Sequence, residues 1–514
     1  MFLLRCEDLH VLLVQVEPYI GFEMELKRKY EDVITDSVKL RCERKAAIRS
    51  CLKEKVGIIN DCWISDKSLH TDFGVHVDAL PFKHCIVENF IQDREYLKEL
   101  KAELLDLKFI MKRNDLYQFH QSHDLAAINK PLINSLKQFL VEECCTWLEM
   151  ATSIKLNTKV SVTCSSYNYS DHLLCHDDKC EDRRIAFILY LSEHWLPDYG
   201  GSLELFNTDD NGQPQEVVKS VQPLFNSLVF FEVMCKSFHQ VAEVGVVDRT
   251  RLSVNGWFHG PLPECSNIVP NAHIDVHMFY PIQDDSSLLK YVNPMYLDSD
   301  IQEQISSSFE QDSEILLPDF LHKDFYKEIC DCLCSDDISW ELQGPPNRRK
   351  YETSCEKVLP LPMSKLVQLL KSEQFFKLLG NITNLELMPS QNTEVMLPQC
   401  SYELQRWKNG FYTLMRDDHM SNEYALDAII HFNVHSLKQL QGGFVSYVAR
   451  DADEELLTLL PSYNALALAF RDKDTLRFVK YINSVLQGCF HMLQFTYYET
   501  FTSSSSEEKA ENIS

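Results

Sequence analysis

The chain has 514 residues, 45% of them hydrophobic and 25% charged, and its 76 acidic and 50 basic side chains give a formal net charge of −26. That length exceeds one ordinary domain and the apolar content is that of a folded protein, so two to three domains are expected. The acidic balance argues against a DNA- or RNA-binding surface as the main business of the chain, and no window has the uninterrupted apolar length of a membrane span.

Residues 1–79 read as a charged, helical extension. Met1-Phe2-Leu3-Leu4 is followed by Arg5 and Glu7-Asp8, too early a run of charge for a convincing signal peptide. Glu25 to Lys55 is charge-rich with a helical pattern, and Lys27-Arg28-Lys29 reads as a solvated helix face before it reads as a nuclear-import signal. The 18 cysteines of the chain make no Cys-x-x-Cys pair and no zinc spacing, a usage suited to a reducing compartment.

A module over residues 80–262 follows. Cys85 to Phe90 reads as a strand and turn. Asp93 to Leu107 reads as a helix with an apolar stripe at Tyr96, Leu97, Leu100, Leu104 and Leu107, and Pro131 to Leu148 as a second amphipathic helix. From Val160 onward short apolar strands alternate with turns. This is the pattern of a double-stranded β-helix, the jelly-roll or cupin-like barrel, whose mouth can gather ligands from different strands.

Within that module one stretch carries chemistry. His-x-Asp occurs five times, at His70, His76, His176, His273 and His322, so it is no signal by itself. Only His176-Asp177-Asp178 is followed by the rest of a site. On an extended strand residues i and i+2 point the same way, so His176 and Asp178 can aim at one ion. The apolar run Ile185 to Leu191 reads as a buried strand, and Leu228 to Phe231 as a strand that leads to His239. Two histidines and one carboxylate on one face of a metal leave the other face open, the arrangement of non-haem Fe(II) oxygenases. The strand from Arg251 to Phe258 puts Arg251, Ser253 and Trp257 on one face and Leu252, Val254 and Phe258 on the other. A buried arginine facing a metal site needs an anion, and its planar fork suits the far carboxylate of 2-oxoglutarate. The expected set is therefore His176, Asp178 and His239 on Fe(II), with Arg251 on the cosubstrate. Tyr190 reads either as core with its hydroxyl satisfied or as part of the site.

Residues 263–313, rich in Pro, Asp and Ser and ending in Ser306-Ser307-Ser308, read as a connector. The pair His273 and His277 within it reads as bland. Residues 314–500 then repeat the first module. Ile315 to Leu321 matches Cys85 to Ile91, Gly442-Gly443 echoes Gly200-Gly201, and Asn464 to Leu468 echoes Asn226 to Phe230. In this copy Arg416 stands where His176 does, Asp418 where Asp178 does, and Val479 falls near His239. A cation beside the old metal position repels iron, so this second barrel is expected to be catalytically degenerate. Residues 501–514 read as a disordered acidic tail. The fold class is α+β: two tandem double-stranded β-helix domains with flanking helices.

At these residues the sequence resembles the 2-oxoglutarate and iron-dependent oxygenase domain-containing protein 1 family, the eukaryotic ribosomal prolyl 3-hydroxylases, which includes the yeast termination and polyadenylation protein. The resemblance rests on Leu173 to Asp178, Arg183 to Leu191, Phe238 to Val241 and Gly256 to Pro261. In the second half it rests on Gly344 to Asn347 and Glu454 to Thr458. It implies His176, Asp178 and His239 as iron ligands and Tyr190 and Arg251 as contacts to 2-oxoglutarate. It implies Fe(II), 2-oxoglutarate and O2, with ascorbate as reductant, and 3-hydroxylation of one proline in a small-subunit ribosomal protein at the decoding centre. A basic ribosomal protein suits the acidic charge of this chain. No membrane or direct nucleic-acid partner is expected, and the location expected is cytoplasmic and nuclear. Two other readings stand beside this one: an oxygenase acting on another protein residue or on nucleic acid, and a non-catalytic scaffold.

Overall fold

The fold comes from a computed structural model, which describes residues 44–262, 277–283, 288–335, 337–354, 359–388, 397–415, 424–434, 442–450 and 455–499. The segments Lys27 to Lys29, His273 to Val276, Arg416 to His419 and the tail lie outside the described residues. Among the described residues no helix is long and apolar enough to cross a membrane.

Thirteen strands build the first sheet. They are β1 Leu69–His70, β2 Val75–Asp78, β3 His84–Glu88, β4 Phe109–Arg113, β5 Tyr117–Ser122, β6 Val160–Tyr167 and β7 His172–His176. Then come β8 Arg183–Tyr190, β9 Leu203–Thr208, β10 Pro214–Val221, β11 Ser227–Glu232, β12 His239–Val241 and β13 Arg251–His259. Their order is β1-β2-β3-β11-β8-β13-β6-β5-β7-β12-β9-β10, with β4 paired to β5. The path curls on itself. Ala186 and Phe231 from one stretch share an apolar cluster with Leu203, Leu205 and Val221 from the other. The segments β11-β8-β13-β6 and β7-β12-β9-β10 thus form the two layers of a jelly roll.

Alternation along the strands decides what each face meets. Leu252, Val254 and Phe258 of β13 point outward into a core shared with Leu97, Leu100, Leu136 and Leu148 of the helices. The helix Arg94–Leu105 is capped by Asp93, whose carboxylate accepts from the backbone N–H of Glu95 and Tyr96 at 2.9 and 3.2 Å. The second expected helix is Pro131–Phe139 and Cys145–Thr152 joined by a π-helical turn over Leu140–Cys144.

Two boundaries differ from the sequence reading. Residues 44–79 are no appendage. Helices Ser50–Glu54 and Val56–Ile64 bury Leu52, Ile59 and Trp63, β2 pairs with β3, and Trp63 stacks on Phe230 with ring centroids 5.6 Å apart. Elements this short leave no periodicity to read. Likewise the end of the connector is a helix, Ser299–Asp312, capped by Asp298. Ile305 and Phe309 on its buried face join a core with Phe375 and Phe376, and the serine run lies between those two positions. Tyr291, Val292 and Tyr296 belong to that core as well.

The second half adds β14 Glu314–Leu317, β15 Trp340–Gln343, β16 Arg349–Ser354, β17 Gln399–Lys408, β18 Tyr412–Thr413 and β19 Ala425–Phe432. It ends with β20 Val445–Ala449, β21 Glu455–Leu459, β22 Leu466–Arg471, β23 Thr475–Val479 and β24 Cys489–Tyr498. One sheet runs β14-β22-β19-β24-β17-β16-β15 and a smaller one β21-β20-β23. Asn226, at φ +61, accepts from the Ile91 N–H at 2.9 Å and donates to its carbonyl at 3.0 Å. Asn464, at φ +44, makes the same pair of bonds to Leu321 at 3.1 and 2.8 Å.

Candidate metal centre

Strands β7 and β12 are antiparallel neighbours, and His176 lies directly opposite His239. Each ring has its Nδ1 2.8 Å from the carbonyl two residues earlier, Leu174 for His176 and Ser237 for His239. A carbonyl only accepts, so Nδ1 carries the proton and Nε2 is left as the ligand atom. Asp178 completes the group by a route other than strand alternation. β7 ends at His176, and Asp178 sits at φ +60 in the turn beyond it. Its Oδ1 is 3.4 Å from His176 Nε2 and its Oδ2 3.4 Å from His239 Nε2. One ligand atom from each of the three lies within 4.8 Å of the others. That fits a single ion with bonds of about 2.0–2.2 Å to each.

The electrostatics suit a cation. Burial pushes the Asp178 carboxyl up, but the His176 and His239 rings outweigh it and hold the group well below the usual carboxylate range. Burial pulls His176 down, and Asp178 reverses that and raises it. Asp178 Oδ2 also accepts from Trp257 Nε1 at 3.0 Å, and the Arg183 guanidinium lies 3.7 Å from the centre of a Trp257 ring.

Arg251 is 1% exposed. Its Nε donates to the Gly201 carbonyl at 2.6 Å, and its guanidinium lies 4.8 Å from the Tyr167 ring centre and 5.1 Å from that of Tyr190. Neither Arg251 Nη2 nor the Tyr190 hydroxyl has a hydrogen-bond partner of good geometry among the described residues. Burial pushes the Tyr190 phenol up, against the pull of Arg251. Two buried donors with unused capacity, one of them a full positive charge, make a site for a carboxylate. Arg251, His176, Asp178 and His239 line one cavity of about 840 Å3. Tyr190, its ring centre 5.1 Å from the Arg251 guanidinium, does not line it.

Of the residues expected from sequence, the structure brings His176, Asp178, His239 and Arg251 to one cavity and leaves Tyr190 off its lining. The sequence reading missed the Trp257 bond to Asp178, although it placed Trp257 on the correct face. It also missed that the second half reaches the same cavity through Asn347, Arg348, Leu414 and Met415.

The registers also revise one counterpart in the second half. In the first half Leu203, two residues past Gly201, faces Val241, and Leu205 faces His239. In the second half Val445, two residues past Gly443, faces Val479, and Tyr447 faces Arg477. Arg477, and not Val479, is the counterpart of His239. The glycines agree: a Cβ on Gly200 would lie 2.1 Å from the Glu243 carbonyl oxygen, and one on Gly442 would lie 1.7 Å from that of Tyr481. Those carbonyls fall four residues past His239 and past Arg477. By the same counting His431, opposite Met492, stands where Tyr190 stands opposite Ser253, and Phe490 stands where Arg251 does. Arg477 is tied up: its Nη1 donates to the buried Asp427 at 2.8 Å, which also accepts from Tyr447 and Thr496.

Comparison with known proteins bears on both halves. The family model described as the 2OG-Fe(II) oxygenase superfamily matches residues 160–259. The model described as oxoglutarate and iron-dependent oxygenase degradation C-term matches residues 283–505. The prolyl 3-hydroxylase OGFOD1 of Xenopus laevis is 42% identical over 472 residues, covering 86% of this chain and 91% of that protein. The protein of the same name from Mus musculus is 39% identical over 469 residues, covering 80% and 86%. The prolyl 3-hydroxylase sudestada1 of Drosophila melanogaster is 34% identical over 466 residues, covering 83% and 84%.

Proposed function

Because this chain belongs to the prolyl 3-hydroxylase family of OGFOD1 and sudestada1, we propose that it hydroxylates C3 of one proline in a basic small-subunit ribosomal protein at the decoding centre. It is a 2-oxoglutarate-dependent dioxygenase that takes Fe(II), 2-oxoglutarate and O2. The bound iron, with 2-oxoglutarate and O2, supplies the oxidising chemistry that leaves one oxygen atom on the substrate carbon and one in succinate, with release of carbon dioxide.

The residues of the chain do the rest. His176, Asp178 and His239 would hold the metal, and all three line the cavity. Trp257 fixes the carboxylate of Asp178, and the Leu174 and Ser237 carbonyls fix the histidine tautomers. Arg251 takes the far carboxylate of 2-oxoglutarate in a pocket away from bulk water, and Tyr190, packed against its guanidinium, holds that side chain in place. The observation that carries this reading is the buried guanidinium of Arg251, unpaired by any carboxylate among the described residues, in the same cavity as the three metal-spaced side chains. The net charge of −26 supports a basic partner. Ascorbate is the proposed reductant, and the cytoplasm and nucleus are the proposed locations.

We also propose that the second half is a degenerate copy of the first barrel and serves as scaffold and substrate wall. The paired Asn226 and Asn464 bonds and the matching registers support common descent. Arg477 at the place of His239 and Phe490 at that of Arg251 support loss of both metal and cosubstrate. Nuclear magnetic resonance of the reacted peptide tests the activity. Oxygen on C3 of one proline supports the reading, whereas oxygen on another residue type moves the enzyme to another target.

A further inference from the structure

The cavity at the metal centre does not end there. It shares Gln213 and Val241 with a second groove of about 750 Å3 that runs between the two halves. The floor of this groove is β7 and β12, with His172, Leu174 and Val241. One wall is the start of β10, Pro214 to Val217, and the other is the end of β15 and the loop after it, Leu342 to Pro346.

Both walls are sheet edges. β10 is the last strand of the first sheet and pairs only with β9; β15 is the last strand of the second sheet and pairs only with β16, among the described residues. An edge strand presents a row of backbone N–H and C=O groups without a ladder partner. Such edges are ordinarily blunted or covered; β10 is blunted in part, since its pairing with β9 shifts register on either side of Val217, whereas β15 pairs with β16 in unbroken register and leaves Leu342 62% exposed. The halves are held in place around the groove. Glu243 accepts from the Ser484 N–H and hydroxyl at 3.0 and 2.9 Å, and His172 lies against Tyr481 with ring centroids 4.1 Å apart. Leu174 packs with Tyr412 and Leu414.

We propose that this groove binds the polypeptide flanking the target proline as an extended strand, added to the free edge of β10 or β15. The inference rests on the hydroxylase reading above. A proline inside a polypeptide that reaches the metal must have its flanking chain leave the cavity, and the groove is continuous with that cavity. Proline itself has no N–H to give a ladder. The neighbouring residues do, and pairing through backbone would hold an extended segment by its main chain. When the added strand lies on β15, the second half takes part in recognition by supplying that edge.

The experiment uses the full chain with Mn(II) in place of iron, 2-oxoglutarate, and a synthetic peptide carrying the decoding-centre proline with about ten residues on each side (about 33 Å of extended chain per arm). Hydrogen exchange is read amide by amide. The expected result is exchange slowed by about tenfold or more at alternate residues of Pro214–Val221 or Trp340–Gln343. In parallel, peptides N-methylated at single flanking residues are turned over by the iron enzyme. KM should rise about tenfold at every second position with kcat unchanged, since each methyl removes one ladder donor. If the peptide gains oxygen on proline but neither edge is protected and N-methylation shows no period of two, the strand proposal is overturned and the hydroxylase reading stands. If the peptide is neither bound nor oxidised, the substrate assignment falls and takes this proposal with it. Protection that depends on protein concentration and not on peptide also overturns it, in favour of a second copy of the chain at these edges.

Discussion

Replacing Arg251 is the sharpest probe of the cosubstrate pocket. The guanidinium is 1% exposed, and its Nη2 has no partner among the described residues. In Arg251→Ala the bound carboxylate would lie in the same buried pocket without its countercharge. Truncating one member of a buried, hydrogen-bonded charge pair costs about 2–5 kcal/mol, so the Kd for 2-oxoglutarate should rise roughly 30-fold to a few thousand-fold. Arg251→Lys keeps the charge but not the fork and should fall between. Metal binding should change by no more than about threefold, because none of the three ligands touches Arg251 through a hydrogen bond. The assay is calorimetric titration of 2-oxoglutarate into the Mn(II)-loaded protein, with thermal melting to show that each variant is folded. The alanine variant also loses stacking on Tyr167 and Tyr190, so some fall in Tm is expected. A folded Arg251→Ala protein whose Kd for 2-oxoglutarate stays within about threefold of wild type would refute the anchor role.

Trp257→Phe removes one hydrogen bond to Asp178 and should weaken Fe(II) binding by about 10- to 100-fold, read by metal titration. Asp427→Asn breaks the buried pair with Arg477 and should cost about 3–5 kcal/mol of stability at neutral pH, read by denaturant unfolding, with metal content unchanged. Its pH dependence has a defined sign. Burial pushes Asp427 up, but Arg477 and Arg471 outweigh it and hold the carboxyl below its ordinary value. Its stabilisation is therefore present above the unfolded value of about 3.9 and is lost as pH falls toward the folded one. The wild type should lose stability on that acid limb, and Asp427→Asn should flatten it. Trp63→Ala should destabilise the first domain by about 3–5 kcal/mol, read by denaturant unfolding, although it lies in the stretch read from sequence as an extension. Iron analysis should give one ion per chain in the wild type and none in His176→Ala. A second ion would show a metal site outside these three ligands.

Long, strongly patterned segments were legible. The helix after Asp93 declares its cap and its stripe of Tyr96, Leu97, Leu100 and Leu104, and the structure buries all four. The match of Cys85–Ile91 to Ile315–Leu321 survives down to the paired asparagine bonds. The group at His176, Asp178, His239 and Arg251 was legible because its residue types have few other reasons to share one barrel face. What failed did so for physical reasons. The turn that carries Asp178 at φ +60 is invisible to a strand argument, because an aspartate tolerates left-handed backbone without a glycine to mark the place. The strands at residues 69–78 were too short to show alternation. Arg477 was missed by two residues, since loop lengths in the two halves differ and only strand register sets the count. The reach of Asn347 and Met415 into the cavity depends on how the halves pack, which no local pattern encodes.

Coupled turnover tests the central claim most directly. The full chain is given Fe(II), 2-oxoglutarate, ascorbate and the decoding-centre peptide, and succinate is counted against oxygen gained by the peptide. The account predicts peptide-dependent succinate release, one oxygen on one proline for each succinate, and no product from His176→Ala. Succinate formed at the same rate without peptide, or oxygen found on a residue other than proline, would contradict it.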